Sequence, residues 1–213
     1  LESGACDAIA KPFHPADLVA RMRLHLKVKR LQDELREKNA ALAQLSTVDA
    51  LTQLRTRRYV QELLALEFLR ARRYRTPLVV CMADLDHFKR VNDSFGHLGG
   101  DAVLQCVSRL LQENLRATDA AGRYGGEELI AVLPGSDLPG ARIFAERWRE
   151  RVAEARVGLA DGREARVTLS AGLAAWHPKL ASPEDLVAAA DVALYRAKQD
   201  GRNRIDVELP PPA

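Results

Sequence analysis

Three cysteines in 213 residues, Cys6, Cys81 and Cys106, are too few and too unevenly spaced for a disulfide framework. An odd count of this kind suits a reducing compartment, and a cytoplasmic location is the expectation. Net charge is scarce as well: 32 Lys and Arg against 29 Asp and Glu leave a formal +3. So even a balance excludes bulk attraction to nucleic acid or to an anionic membrane, and local clusters must carry any anion recognition. Long apolar runs are missing; stretches such as "PLVVCMA" are far too short to cross a bilayer. The chain also shows no initiator Met and no signal peptide, and its opening "LESGACDAIAKPF" reads as the middle of something larger. What is present, 47% hydrophobic and 29% charged residues, belongs to a globular protein with one core and an appendage.

Residues 1–15 read as a strand and a turn broken by the prolines of "KPFHP". A long helix follows over 16–46. In it Leu24, Val28, Leu31, Leu35, Lys38, Leu42 and Leu45 recur at spacings of four and three, a heptad seam with one polar interruption. The alternative is an amphipathic helix packed on its own domain. From residue 47 to 208 helices and strands alternate. "PLVVCMADLDHF" is a strand ending in carboxylates, and "AAGRYGGEELIAVLP" is two strands around a Gly-Gly turn. "GGDAVLQCVSRLLQENLR" is a helix with Val103, Val107, Leu110 and Leu111 on one face. "SPEDLVAAADVALYRAKQDGRN" has helix punctuation at both ends, with Ser182 to cap, Pro183 in the first turn and Gly201 past the end. A last strand, "RIDVEL", precedes a tail, 209–213, that looks disordered. The pattern predicts an α+β fold, a mainly antiparallel central sheet flanked by helices.

Two acidic points carry the chemistry: Asp84 and Asp86 at a strand exit, and Glu127 and Glu128 at the Gly-Gly turn. If the two strands are neighbours, carboxylates converge at one end of the sheet. With no His or Cys beside them in sequence, such a cluster suits a hard, oxygen-loving ion, so Mg²⁺ is favoured over Zn²⁺. Lys89, Lys198 and Arg202 would then form a triphosphate clamp. Singly, each signal has a plainer reading, as a solvated hairpin or a capped turn.

Taken together, "DALTQLRTRR", "DLDHFKRVNDSFGHLGGD", "RYGGEEL", "VTLSAGLA" and "ALYRAKQDGRNR" resemble, in order and spacing, the GGDEF-family diguanylate cyclases. The resemblance runs from about residue 48 to 206. The opening "AKPF" and the helix behind it look like the end of a response-regulator receiver domain, whose phosphate-accepting aspartate would lie upstream.

The resemblance implies condensation of two GTP into cyclic di-GMP, with release of two pyrophosphates, by a homodimer holding one GTP per domain. It implies a fold akin to nucleotide cyclase and polymerase palms. Asp84, the Leu85 carbonyl and Glu127 match the family's Mg²⁺ ligands, with Mn²⁺ as a substitute. Glu127 also matches the residue proposed to take the proton from the attacking 3′-hydroxyl, and Glu128 shares its metal or base role. Asn92 and Asp101 match the guanine-binding positions; a carboxylate there pairs with N1–H and the 2-amino group, which adenine lacks. Phe88, Lys89, His97, Lys198 and Arg202 complete the substrate set, His97 in a supporting role. Arg116 and Asp119 match an inhibitory product site, to which Arg147 could add a second guanidinium; by itself Arg-x-x-Asp is a helical ion pair. Leu129 stands where Phe is usual, and Gln53 and Thr56 where Gly and Asn are common. The rival readings are a receptor that binds nucleotide without turnover and a purely structural dimer module.

Overall fold

The structure, a computed structural model, describes residues 15–209. The expected receiver remnant and tail therefore lie almost wholly outside the described residues. The chain divides into two compact units, 1–46 and 47–213.

The first unit is the helix α1 (Pro15–Leu45). Leu24, Val28 and Leu31 of the heptad seam are exposed at 61%, 44% and 54%. An i,i+4 pair of Arg30 and Glu34, 2.9 Å apart, supports the helix from its polar side.

The second unit is built on a six-stranded sheet. Its elements run β1 (Arg55–Thr56), α2 (Arg57–Tyr74), β2 (Leu78–Leu85), α3 (Phe88–Gln112), β3 (Ala120–Arg123), β4 (Glu128–Pro134) and α4 (Leu138–Glu154). There follow β5 (Val157–Gly158), β6 (Glu164–Ala165), β7 (Leu169–Ala175), α5 (Pro183–Gln199) and β8 (Ile205–Glu208). The order across the sheet is β1-β3-β4-β2-β7-β8, and β5 pairs only with β6. The three inner pairings are antiparallel; the outer two, β1 with β3 and β7 with β8, are parallel. This is the α+β architecture expected, with parallel edges and a small β5–β6 hairpin that the hydrophobic pattern does not show.

Strand β2 is buried along its whole length because both sheet faces are covered. Val79, Cys81, Ala83 and Leu85 point to a core closed by Val103, Val107 and Leu111 of α3 and by Ala141, Trp148 and Val152 of α4. Leu78, Val80 and Met82 face the other core, with Val60, Leu64 and Phe68 of α2 and Leu186, Ala190 and Leu194 of α5. The Cys81 thiol, fully enclosed, is pushed up to about 12 by burial and is inert as a nucleophile. Leu129, in the place usual for Phe, is 0% exposed within the first core. Helix α5 approaches β7 closely because Gly172 has no side chain; a Cβ there would strike the backbone of Ala190 and Leu194.

The helix ends follow their sequence punctuation. Ser182 Oγ accepts from the Asp185 N–H at 3.2 Å and Asp185 returns the bond to the Ser182 N–H at 3.0 Å, a complete capping box for α5. Asp137 caps α4 through the Gly140 N–H at 2.9 Å. Helix α3 is two helices joined at Gly96, whose φ of 70° and ψ of 173° break the helical path. That break decides where the next side chains go.

Candidate active site

Strand β2 delivers Asp84 to the edge of the core. It pairs in register with Glu128 of β4, so the two carboxylates stand opposite each other on the α2/α5 face of the sheet. The strands are neighbours, as the convergence of carboxylates requires. Asp84 is 9% exposed, and its Oδ2 receives the Lys198 ammonium from the end of α5 at 2.9 Å. Burial pushes the Asp84 carboxyl above its ordinary value; Lys198 and Arg202 oppose the shift and Asp86 adds to it. Of the three basic residues expected at the clamp, Lys198 touches Asp84, and Arg202 is exposed on the turn after α5. Lys89 is exposed on the first turn of α3. Phe88 beside it is 7% exposed in the core, which leaves only its backbone for a ligand.

The Gly-Gly turn is fixed from behind. The backbone N–H groups of Tyr124 and Gly125 donate to the Glu128 carbonyl at 2.8 and 3.3 Å. The Arg123 guanidinium donates to the Gly125 carbonyl at 3.2 Å and to the Gly126 carbonyl at 2.8 Å. Its other side meets Asp49, 3.5 Å away, in the lead-in to β1. Glu127 is half-buried on this clamped turn. The Glu128 carboxylate folds over Gly125, where a Cβ would collide with it. It lines a cavity of about 390 Å³ with Arg57, Gln61, Met82, Tyr124 and Asp191.

Sequence reasoning missed Arg123 and Asp49. The signal was present, a cation directly before the Gly-Gly turn and an Asp opening "DALT". Burial raises the Asp49 carboxyl, but hydrogen bonds from the Thr52 N–H and hydroxyl, at 2.8 and 2.7 Å, and the charge of Arg123 outweigh it and hold the pKa below its ordinary value. A depressed carboxyl contributes stability above its unfolded pKa, and that contribution disappears as pH falls through the folded value. Asp49→Asn is accordingly expected to cost about 1–2 kcal/mol at pH 7. The difference from the parent should vanish in acid, as read by urea unfolding at both pH values.

Gln53, in a place where Gly is common, has a φ of 57°. Its amide donates to the Ala50 carbonyl at 2.9 Å and its own carbonyl accepts from Gln112 Nε2 at 2.8 Å, bonds that offset the left-handed backbone.

The kink at Gly96 folds the second half of α3 back on the first. Asn92 packs against Gly100, where a Cβ would collide with its carboxamide, and Asp101, the next residue in sequence, is half-buried. The two residues matched to guanine binding both lie on α3, one on each side of the break at Gly96. His97 is exposed in the same bend.

Arg116 and Asp119 form a turn rather than a helical ion pair. Asp119 Oδ2 accepts from the Arg116 N–H at 2.9 Å and the Asp119 N–H donates to the Arg116 carbonyl at 3.0 Å. The Arg116 side chain is exposed. Arg147 is tied to the side chain and carbonyl of Asn114, two residues before Arg116.

The donor chemistry bears on a metal. Among the described residues no group of three or more His, Cys, Asp or Glu is placed to hold an ion unaided. Asp84 and Glu128, opposed across β2 and β4, offer carboxylate oxygens only, and the Lys198 ammonium is already drawn to Asp84. These oxygens suit Mg²⁺, which binds through one or two carboxylates and completes its shell with waters and substrate phosphates.

The fold is an α+β domain, a mixed six-stranded sheet flanked by helices, with Asp84 and Glu128 opposed on one face and Lys198 drawn to Asp84. The chain belongs to the family described as "Diguanylate cyclase, GGDEF domain", whose profile matches residues 46–204. It is 38% identical over 206 residues to Response regulator PleD of Caulobacter vibrioides, covering 96% of this chain and 45% of that protein. It is 40% identical over 162 residues to Diguanylate cyclase DosC of Escherichia coli, covering 75% of this chain and 35% of DosC. The chain thus spans less than half the length of these relatives. Among solved structures, the GGDEF domain of DgcB from Caulobacter crescentus in complex with c-di-GMP superposes with a TM-score of 0.74 at 30% identity, over 77% of this chain and 94% of that one. The active GGEEF domain of a diguanylate cyclase from Vibrio cholerae superposes with a TM-score of 0.70 at 36% identity, over 75% of this chain and all of that one. No helix among the described residues is long and apolar enough to cross a membrane.

Proposed function

We propose that this chain is a diguanylate cyclase, condensing two GTP into cyclic di-GMP and releasing two pyrophosphates. The observation that carries the reading is Asp84: a buried carboxylate, opposed by Glu128 and held by Lys198, at the mouth of a strand that β4 pairs along its full length. Asn92 and Asp101 hold the guanine, and the Asp101 carboxylate rejects adenine, which would leave it unpaired. Lys198, Arg202 and Lys89 hold the phosphates. Asp84, the Leu85 carbonyl and Glu127 would hold Mg²⁺, which would supply charge neutralisation at the α-phosphate. Glu127 accepts the proton from the 3′-hydroxyl. The oxygen so freed attacks the α-phosphorus of the second GTP, and the bond to pyrophosphate breaks. Repeating the step in the opposite sense closes the ring.

One domain holds one GTP, so two must face each other across a two-fold axis. The seam of α1 supplies that proximity as a parallel coiled coil between two copies. The similarity to Response regulator PleD over 96% of the chain supports reading the opening segment as the end of a receiver domain. Arg116 and Asp119, with Arg147 close by, form a product-binding inhibitory site. The cytoplasm, where GTP is made and thiols stay reduced, is the compartment this reading requires.

Incubation with GTP and Mg²⁺, followed by chromatography of the nucleotides, tests the reading. Cyclic di-GMP is the expected product. Recovery of bound but unchanged GTP would make the chain a receptor, and absence of binding would leave only a structural module.

A further inference from the structure

Asp86 lies one residue past β2 and is 5% exposed, yet no step of the reaction uses it. Three donors converge on its carboxylate. Ser170 Oγ donates to Oδ1 at 2.7 Å; Thr168 Oγ1 and the Asn203 backbone N–H donate to Oδ2 at 2.7 and 3.0 Å. Its own N–H donates to the Thr168 carbonyl at 2.9 Å. None of the three donors carries a charge, so the buried carboxylate is satisfied by dipoles drawn from separate parts of the chain. Ser170 belongs to the start of β7, and Thr168 immediately precedes that strand. Asn203 belongs to the turn between α5 and β8, which brings the clamp to the site.

That turn is unusual in its backbone. Arg202 and Asn203 have φ of 62° and 46°, two consecutive non-glycine residues in the left-handed region. Such a pair persists only when neighbours hold it. The Arg202 N–H reaches the Ala197 carbonyl at 3.1 Å and the Asn203 side chain accepts from Arg149 at 2.9 Å, but the tie from the turn to the exit of β2 is the bond to Asp86. The bond from Asn203 thus brings the turn that carries Arg202 to the residue two past Asp84, and Lys198, four residues before Arg202, touches Asp84 at 2.9 Å.

We propose that Asp86 is a positioning residue for the phosphate clamp: by tying the turn after α5 to the exit of β2, it holds Arg202 at that end of the sheet. The inference rests on the reading that a triphosphate binds here. Asp86 touches no ligand; its effect passes through Arg202.

The test is a double-mutant cycle read by calorimetric titration with 3′-deoxy-GTP and Mg²⁺, a probe without the attacking hydroxyl, so that binding is measured without turnover. Asp86→Ala and Arg202→Ala should each weaken binding about tenfold, and the double variant should be no weaker than Arg202→Ala alone. Asp86→Asn keeps an acceptor for the Asn203 N–H while its amide donates to Ser170, and it should stay within about twofold of wild type. Should Asp86→Ala not fold, Asp86→Ser, too short to reach Asn203, replaces it in the cycle. Additive penalties, or unchanged affinity in the truncated variant, would overturn the inference while the substrate reading stands. Failure of the wild type to bind 3′-deoxy-GTP would overturn the substrate reading itself.

Discussion

Replacing Glu127 by Gln should reduce cyclic di-GMP synthesis by roughly 10³-fold or more while the domain stays folded. The amide keeps the size of the side chain but cannot take the 3′-hydroxyl proton and is a weaker oxygen ligand. Asp84→Asn should cost as much in rate, with an opposite sign in stability. Burial raises the Asp84 carboxyl, and a raised folded pKa means a contribution to stability that is present below the unfolded pKa and lost as pH rises through the folded one. At neutral pH the ionised Asp84 is therefore a cost that the fold carries for its ligand. The Asn variant should be at least as stable as the parent in the absence of nucleotide at pH 7, and should lose that advantage in acid. Urea unfolding beside a steady-state assay separates the two effects. Near-normal turnover in either variant at saturating Mg²⁺ would remove the residue from the reaction.

The second large effect lies in assembly. Leu24 and Leu31 lie on the heptad seam of α1, exposed at 61% and 54%, and Glu at both should break a coiled coil at its core positions. Tethering raises the effective concentration of one half-site for the other, an advantage of about 10²–10⁴-fold when the geometry allows both to engage. Specific activity of the double variant should fall by about 10²-fold at nanomolar protein and climb back toward wild type as concentration rises. A rate per chain that does not change with concentration would mean that α1 is not what brings the domains together.

Much of this was legible in residue order. The run "LVVCMADL" reads as a strand ending in carboxylates, and Ser182, Pro183 and Asp185 mark the start of α5. The turn at Gly125 and Gly126 and the convergence of Asp84 with Glu128 follow once those strands pair. What stayed hidden depends on contacts distant in sequence. The packing of Asn92 against Gly100 requires the break at Gly96, which a 3.6-residue pattern continuing on both sides conceals. Arg123 reads as one more cation until its guanidinium is seen under the carbonyls of the turn. Asp86 looks like a partner of Asp84 in a metal cluster, yet its donors lie more than eighty residues away in sequence. The motif Arg116 to Asp119 is a turn because the chain leaves α3 at Gln112, which local propensity for an ion pair does not reveal.

The claim that two domains each contribute one GTP is tested most directly by mixing subunits. Wild-type chains are allowed to exchange with increasing excess of Glu127→Gln chains, and all nucleotides formed from GTP and Mg²⁺ are separated. A mixed dimer has one competent half-site and can make one of the two bonds. Cyclic di-GMP per wild-type chain should fall as the excess grows, and a linear dinucleotide bearing a 5′-triphosphate should take its place, with one pyrophosphate released for each. A yield of cyclic di-GMP per wild-type chain that is unchanged at every ratio would contradict the account, because each chain would then be completing the reaction alone.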